Sequence, residues 1–312
     1  MAAVANPGCM RMLEAVLPIS NREPARRNLD RAGLLLKSLE FFWTGPGPFV
    51  IHVVVPDAEL SAIANALLNF GLNGSLKIHL MSESEVSPLI GTAAGNVGYA
   101  KQMLIKLSAY KIVHAPFCII FDTDILCCRP FGQGTFLTGE KAASDWVAPT
   151  LWEWWFESAK ILKINLSNDE LKRPRLGVTP QILSTDILEL LAARLTNLFG
   201  GNWIQGLIER YSGDHPNIWT EYTLYDLFAT EARILDRFHL LPDEIDAQRM
   251  LQCRKYNVWS PEDYKNWNPT DALSDDSVGH FMVMQSIIAR DVDFDDVKNR
   301  WVYALKARYP VG

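Results

Sequence analysis

Two hydrophobic periods alternate along the first 130 residues. Residues 13–19 (LEAVLPI) read as a short, mostly apolar strand, followed by the polar, arginine-rich stretch SNREPARRNLDR. Leu34, Leu35, Leu39 and Phe42 then recur at helical spacing, and Gly45-Pro46-Gly47-Pro48 stops that helix. Residues 49–55 (FVIHVVV) are apolar and β-branched, the pattern of a strand covered on both faces. Asp57 caps a helix predicted over 58–70 that ends near Gly71, and residues 75–81 predict a third strand. A glycine-rich loop over 91–98 precedes a helix predicted over 99–113. Residues 117–121 (FCIIF) predict a fourth strand with Asp122 at its end.

Strand and helix at this spacing predict an α/β chain with a mostly parallel central sheet flanked by helices. Such sheets bind ligands beyond the carboxyl ends of their strands, so Asp122 stands where a site is expected. The second half is less regular and rich in tryptophan, with helices or helical turns predicted over 236–254 and 291–308. No repeat and no Pro/Gly/Ser linker divides the chain. One domain over 1–312 is expected, with a ligand-binding half over 10–135 and an elaborated half over 136–312.

The segment FCIIFDTDILCCRPF carries the chemistry. In an extended chain Asp122 and Asp124 point to one side. Two carboxylates there can hold a hard divalent cation, Mn²⁺ or Mg²⁺, which offsets their repulsion.

With those residues in view, the chain resembles the GT-A fold glycosyltransferases, whose Rossmann-like half ends in a strand bearing a DxD motif. GYAKQMLIKLSAYKIV, GVTPQIL and WTEYTLY further resemble a poorly characterised group of bacterial glycosyltransferases. The resemblance implies metal-dependent transfer of a sugar from a nucleotide-diphosphate donor to a glycan or other hydroxyl acceptor, in polysaccharide or glycoconjugate synthesis. It implies that Asp122 and Asp124 hold the metal bridging the diphosphate, with Asp122 also touching the donor. Residues 10–135 become the nucleotide-sugar half and 136–312 the acceptor half. Two other readings stand beside it. One is a haloacid-dehalogenase-like phosphatase with Asp122 as nucleophile, although Ile125-Leu126 replaces the usual Gly-Thr. The other is a catalytically silent nucleotide-sugar-binding domain.

Further residues follow from the pattern and the resemblance. Tyr99, Gln102 and Lys106 share a helix face, and Gln102 and Lys106 are expected to contact the donor. Arg22, Arg26, Arg27 and Arg31 follow the first strand, and Arg27 and Arg31 lie one turn apart, as a phosphate contact requires. Glu221, beside Trp219 and Tyr222, is the candidate general base, with Asp214 and Asp226 as substitutes. His280 is the candidate third metal ligand, with His215 in reserve. Trp154, Trp155 and Trp219 are candidate acceptor platforms. Trp152, Trp154 and Trp155 cannot all face inward, so at least one is expected at the surface.

Composition narrows the partners. Thirty basic against 36 acidic residues give a net charge of −6, without the cationic excess a nucleic-acid binder needs. The five cysteines form no CxxC pair and suit a reducing compartment. With no signal-peptide pattern and no apolar run of spanning length, a cytoplasmic location is expected. Residues 298–309 mix Trp301, Tyr303 and Leu305 with Arg300, Lys306 and Arg308. That mixture suits a terminal helix packed on its own domain, or a weak peripheral contact with an anionic membrane.

Overall fold

The structure, a computed structural model, describes residues 12–21, 27–93, 98–211, 219–286 and 292–310. The strands β1 (Leu13–Pro18), β2 (Phe49–Val55) and β3 (Leu76–Ser82) alternate with the helices α1 (Asn28–Phe42) and α2 (Leu60–Asn69). Short helices α3 (Glu83–Val86) and α4 (Pro88–Thr92) lead to α5 (Gly98–Leu107), and β4 (Phe117–Ile120) and β5 (Ile125–Cys127) follow.

In the second half come β6 (Leu137–Thr138), β7 (Lys141–Ala142), β8 (Trp146–Val147), α6 (Trp152–Leu162), β9 (Arg175–Leu176) and β10 (Gln181–Ser184). The helices α7 (Thr185–Phe199), α8 (Trp203–Tyr211), α9 (Glu221–Glu231), α10 (Leu235–Phe238), α11 (Pro261–Asn266) and α12 (Pro269–Ala272) precede β11 (Phe281–Val283) and the terminal α13 (Phe294–Arg308).

The main sheet has the order β10-β4-β1-β2-β3. β3, β2, β1 and β4 are parallel, and β10 closes the edge antiparallel to β4. The order reverses between β1 and β4, which opens a crevice at their carboxyl ends. β4 continues through the Asp122-Thr123-Asp124 turn into β5, which pairs antiparallel with β11.

Alternation along the strands divides the core in two. Ala15, Leu17, Ile51, Val53 and Ile119 pack on one face with α1 and with Val297, Trp301 and Ala304 of α13. Val16, Val54, Cys118 and Ile120 pack on the other with α5, α6, α7 and α9. Each valine, leucine or isoleucine among them contributes about 1.5–3 kcal/mol by leaving water. Gly33 of α1 lies against the Phe70 ring, 2.9 Å from where a Cβ would sit, so only glycine allows that approach.

The strands of the first half follow the sequence pattern closely. Two helices do not. The helix expected over 99–113 is α to Leu107 and then tightens to a 3₁₀ turn at Ala109–Lys111, with Lys111 N–H donating to the Ser108 carbonyl at 2.9 Å. The stretch 236–254, expected as helix or helical turns, holds α10 and a 3₁₀ turn at Pro242–Glu244 rather than one continuous helix. Leu240 N–H pairs with the Ala142 carbonyl and Cys253 N–H with that of Phe281, so this segment is drawn into strand pairing.

The four described cysteines, Cys118, Cys127, Cys128 and Cys253, are buried free thiols. Among the described residues no helix is long and apolar enough to cross a membrane. The apolar side of α13 is taken up by the core. Arg308 pairs with Asp275, and Arg300 lies over the Trp267 ring at 4.9 Å.

One polar pair crosses the sheet interior. His52 Nε2 lies 2.8 Å from Glu14 Oε2, and that oxygen also accepts the His114 N–H at 3.0 Å. Burial pushes the Glu14 carboxyl up, but the hydrogen bonds from His52 and His114 outweigh it and hold it below its ordinary value. A depressed carboxyl contributes stability above its unfolded value and loses it as pH falls through the folded one. Glu14→Ala is expected to cost about 3–5 kcal/mol at neutral pH in denaturant titrations, with the gap to wild type narrowing below about pH 4.

Candidate functional site

Three elements converge at the carboxyl end of β4. The β4–β5 turn presents Asp122, the last turn of α5 brings Lys106, and the first turn of α9 brings Glu221. Lys106 Nζ sits 2.9 Å from Asp122 Oδ1 and 2.9 Å from Glu221 Oε1. Its ammonium is also 5.6 Å from the centre of the Tyr222 ring. Lys106 and Glu221 are buried, whereas the Asp122 side chain keeps 34% of its surface. Burial alone would lower the lysine pKa; the charges of Asp122 and Glu221 reverse that and hold it well above the ordinary value.

The local sequence explains the convergence. The Thr220 side chain accepts the Thr223 N–H, an N-cap that starts α9 with Glu221 in its first turn. Tyr99 and Lys106 share the α5 face toward Asp122. The Tyr99 hydroxyl is pushed up by burial and then by the negative charge of Glu221, which places it in the same cluster. Gln102 lies between them in sequence, half-buried.

Asp124 is held differently. Its Oδ2 accepts the Ser286 N–H at 2.9 Å, and its carbonyl accepts the Met284 N–H at 2.7 Å. Burial, then the neighbouring Asp122 charge, raise its pKa; Ser286 and the Arg31 guanidinium act in the opposite sense. Arg31 is buried and donates Nη1 to the Met284 carbonyl at 2.8 Å. Asp122, Asp124 and Glu221 thus face two cations, Lys106 and Arg31. A cavity of about 10 Å³ between Arg31, Asp124, Met284 and Phe294 has room for about one water.

The two aspartates suit a hard cation. The Asp122 charge adds to the cost of ionising Asp124, a burden that a bound cation relieves, and Asp122 is open on one side. Among the described residues no group of three His, Cys, Asp or Glu side chains could hold a metal. The described residues therefore offer a two-carboxylate site, whose shell phosphate or water oxygens could complete.

Several expected site residues lie elsewhere. His280 pairs opposite Cys128, four residues along the ladder from the Asp124–Met284 level, or about 13 Å away. Its Nε2 meets the Gln248 carbonyl at 2.8 Å, and burial lowers its pKa. It is not brought to the aspartates.

Arg27 is paired on the surface with Asp30 at 2.7 Å and Asp295 at 2.9 Å, whereas Arg31 does approach Asp124. Trp219 is fully buried and Trp155 packs in the core beside Arg175, so neither can serve as an acceptor platform. Ser158 Oγ meets Thr223 Oγ1 at 2.5 Å, while Trp155 lies level with the buried Arg175–Asp226 pair, further along α9. The half-buried Trp154 and the exposed Trp152 therefore sit toward the far end of α9. Asp226 is committed to Arg175. Arg22, Arg26, Asp214 and His215 lie outside the described residues.

Other residues form the site without any signal in the sequence. The Thr179 hydroxyl lies 2.7 Å from that of Tyr222, whose ring faces the Lys106 ammonium. Ser286 reaches Asp124 through both its backbone N–H and its side chain.

Comparison with known proteins agrees with this architecture. Residues 10–300 match the family described as "Family of unknown function (DUF6492)", and the chain belongs to that family. No curated protein matches. Among solved structures, mouse xyloside xylosyltransferase 1 superposes with a TM-score of 0.51 at 13% identity, covering 87% of this chain and 97% of that one. The mannosyltransferase Ktr4p of S. cerevisiae gives a TM-score of 0.46 at 7% identity, covering 72% and 67% of the two chains. The bifunctional glycosyltransferase WbbM gives 0.43 at 12%, covering 66% and 38%. The fold is that of the GT-A glycosyltransferases.

Two outcomes test this electrostatic arrangement. Lys106→Ala leaves two carboxylates facing one another, and is expected to lower stability by about 3–5 kcal/mol in urea titrations. Asp124→Asn removes a carboxylate whose pKa is raised. Such a group costs stability above its folded pKa and nothing below the unfolded value near 4. The variant is therefore expected to melt above wild type at neutral pH without divalent ions, with the difference shrinking as pH falls.

Proposed function

We propose that this chain is a metal-dependent glycosyltransferase that moves a sugar from a nucleotide-diphosphate donor to a hydroxyl acceptor, in polysaccharide or glycoconjugate synthesis. The observation that carries the reading is the pair Asp122 and Asp124 at the carboxyl end of β4, with Lys106 Nζ 2.9 Å from Asp122. The chemistry fits the place. Transfer breaks the anomeric carbon–oxygen bond and leaves its electron pair on the diphosphate. The acceptor oxygen forms the new bond to the anomeric carbon, and its proton departs to the diphosphate or to solvent. Mn²⁺ or Mg²⁺ held by Asp122 and Asp124 would act as a Lewis acid toward that developing charge.

The chain's own residues do the remaining work. Lys106 places a desolvated positive charge beside Asp122, within reach of a bound phosphate. Tyr99 and Gln102 lie on the same helix, where they border the donor. Arg31 balances Asp124 from behind. Glu221 takes a positioning role in this reading. Its Oε1 is bound to Lys106 and it is buried, whereas a general base must come within about 2.6–3.2 Å of the acceptor hydroxyl.

A thermal-shift screen of nucleotide sugars with and without Mn²⁺ tests the proposal. A donor at 100 times its Kd should stabilise the chain by about 2.7 kcal/mol. The shift is expected only with metal and to vanish in Asp122→Asn. A phosphoryl group trapped on Asp122 would instead favour the phosphatase, and metal-dependent donor binding without any turnover would favour the silent domain.

A further inference from the structure

The main sheet ends on β3, and that edge carries little of the usual protection. β3 pairs with β2 through consecutive partners from Phe49–Leu76 to Val55–Ser82, so no bulge bends it. Among the described residues no strand pairs with its outer side. It contains no proline, and Lys77 is its single charge. Long edges are ordinarily blunted by charges, proline or bulges, because their outward N–H and C=O groups template another strand.

The surface beside the edge is bare of charge as well. From Leu60 to Leu76, through α2 and the turn into β3, no residue is charged, in a chain whose net charge is −6. Leu60 and Leu67 of α2 pack on the same core face as Ile78 and Leu80 of β3, while Leu68 is 81% exposed. Over 60–82 only Ile63, Leu76 and Ser82 are buried. The twenty residues that keep exposed surface there match the roughly 20–30 a side of a specific interface.

The ladder fixes which groups point outward. The Phe49 N–H donates to the Ser75 carbonyl at 2.9 Å. In a parallel ladder of this register, that turns the backbone groups of Lys77, His79 and Met81 toward β2, and those of Leu76, Ile78 and Leu80 away from it. The Ser82 N–H, next in the outward series, is taken by Glu85 Oε2 at 2.6 Å.

Such an edge is complementary to itself. In an antiparallel pair with a twofold axis at Ile78, Ile78 meets its own counterpart and Leu76 meets the partner's Leu80, each pair exchanging two hydrogen bonds. Lys77 then faces the partner's His79. An axis at Lys77 would set two lysines directly opposite one another. An axis at His79 would match Leu76 with the Ser82 amide that Glu85 already holds. A twofold interface brings every charge near its own copy, so a charge-free patch suits a second identical chain better than a partner selected by opposite charge.

We propose that β3 is a self-association edge, through which two copies of this chain join their five-stranded sheets into one, with α2 flanking the seam. The inference stands independently of the reaction proposed above.

Sedimentation velocity of the full chain across the micromolar range tests it, with hydrogen exchange followed at the Leu76, Ile78 and Leu80 amides. The mass is expected to rise from 35.2 kDa to twice that value, with those amides slowing as concentration rises. His79→Lys sets like charges across the seam and is expected to weaken the dimer by roughly tenfold, since the twofold applies the penalty twice. His79→Glu faces the partner's Lys77 and is expected to tighten it. Both lose the same ring contact with His52, at 5.2 Å between centroids, so a shared folding cost cannot give opposite signs. Adding Lys77→Glu to the His79→Lys chain is expected to restore pairing. A single-chain mass at every concentration would overturn the proposal, whether the outward amides exchange freely or are covered by another segment of the same chain. A dimer that both His79 variants leave unchanged would overturn it too, by placing the interface elsewhere.

Discussion

The site depends on one buried ammonium group shared between two carboxylates. Lys106 reaches Asp122 from α5 while Glu221 meets it from α9, so one charge fixes the relative placement of two helices and the end of β4. Burying a charge is tolerable only when it is paired. Here the pairing also solves a functional problem. It fixes Asp122 in place while leaving its side chain partly exposed beside Asp124.

The surrounding architecture follows from the sheet. Parallel strands covered on both faces leave polar groups little room except at the strand ends, and the reversal of order between β1 and β4 opens a crevice there. Into it the chain places three carboxylates, two cations and a tyrosine hydroxyl. The β5–β11 ladder then carries the wall forward to Ser286, and the Thr179 hydroxyl meets Tyr222 beside the Lys106 ammonium.

Much of this was legible in the sequence, and the reasons for the rest are physical. β2 stood out because seven residues covered on both faces leave a continuous apolar run. Asp122, Asp124 and Lys106 stood out because charged groups at a strand end or on a helix face break an otherwise apolar pattern. Glu221 was visible as a residue, but its salt bridge to Lys106 spans 115 positions and no local pattern encodes it. His280 was misplaced because its ladder register decides its neighbours, and register is a tertiary property. Trp219 and Trp155 were misread because indole rings fill cores as readily as they line surfaces. Ser286 and Thr179 meet their partners 162 and 43 positions away, contacts that no local pattern encodes. The irregular second half, with its two-residue strands, carries too few residues per element for periodicity to show.

The central claim is that Asp122 and Asp124 together hold a divalent cation that a diphosphate completes. Electron paramagnetic resonance of Mn²⁺ titrated into the protein tests it most directly. With two carboxylates among the described residues to hold it, binding should be weak for Mn²⁺ alone and should tighten at least tenfold when a nucleoside diphosphate is present, with both effects lost in Asp122→Asn and Asp124→Asn. Equal Mn²⁺ binding in wild type and both variants, with or without the diphosphate, would contradict it.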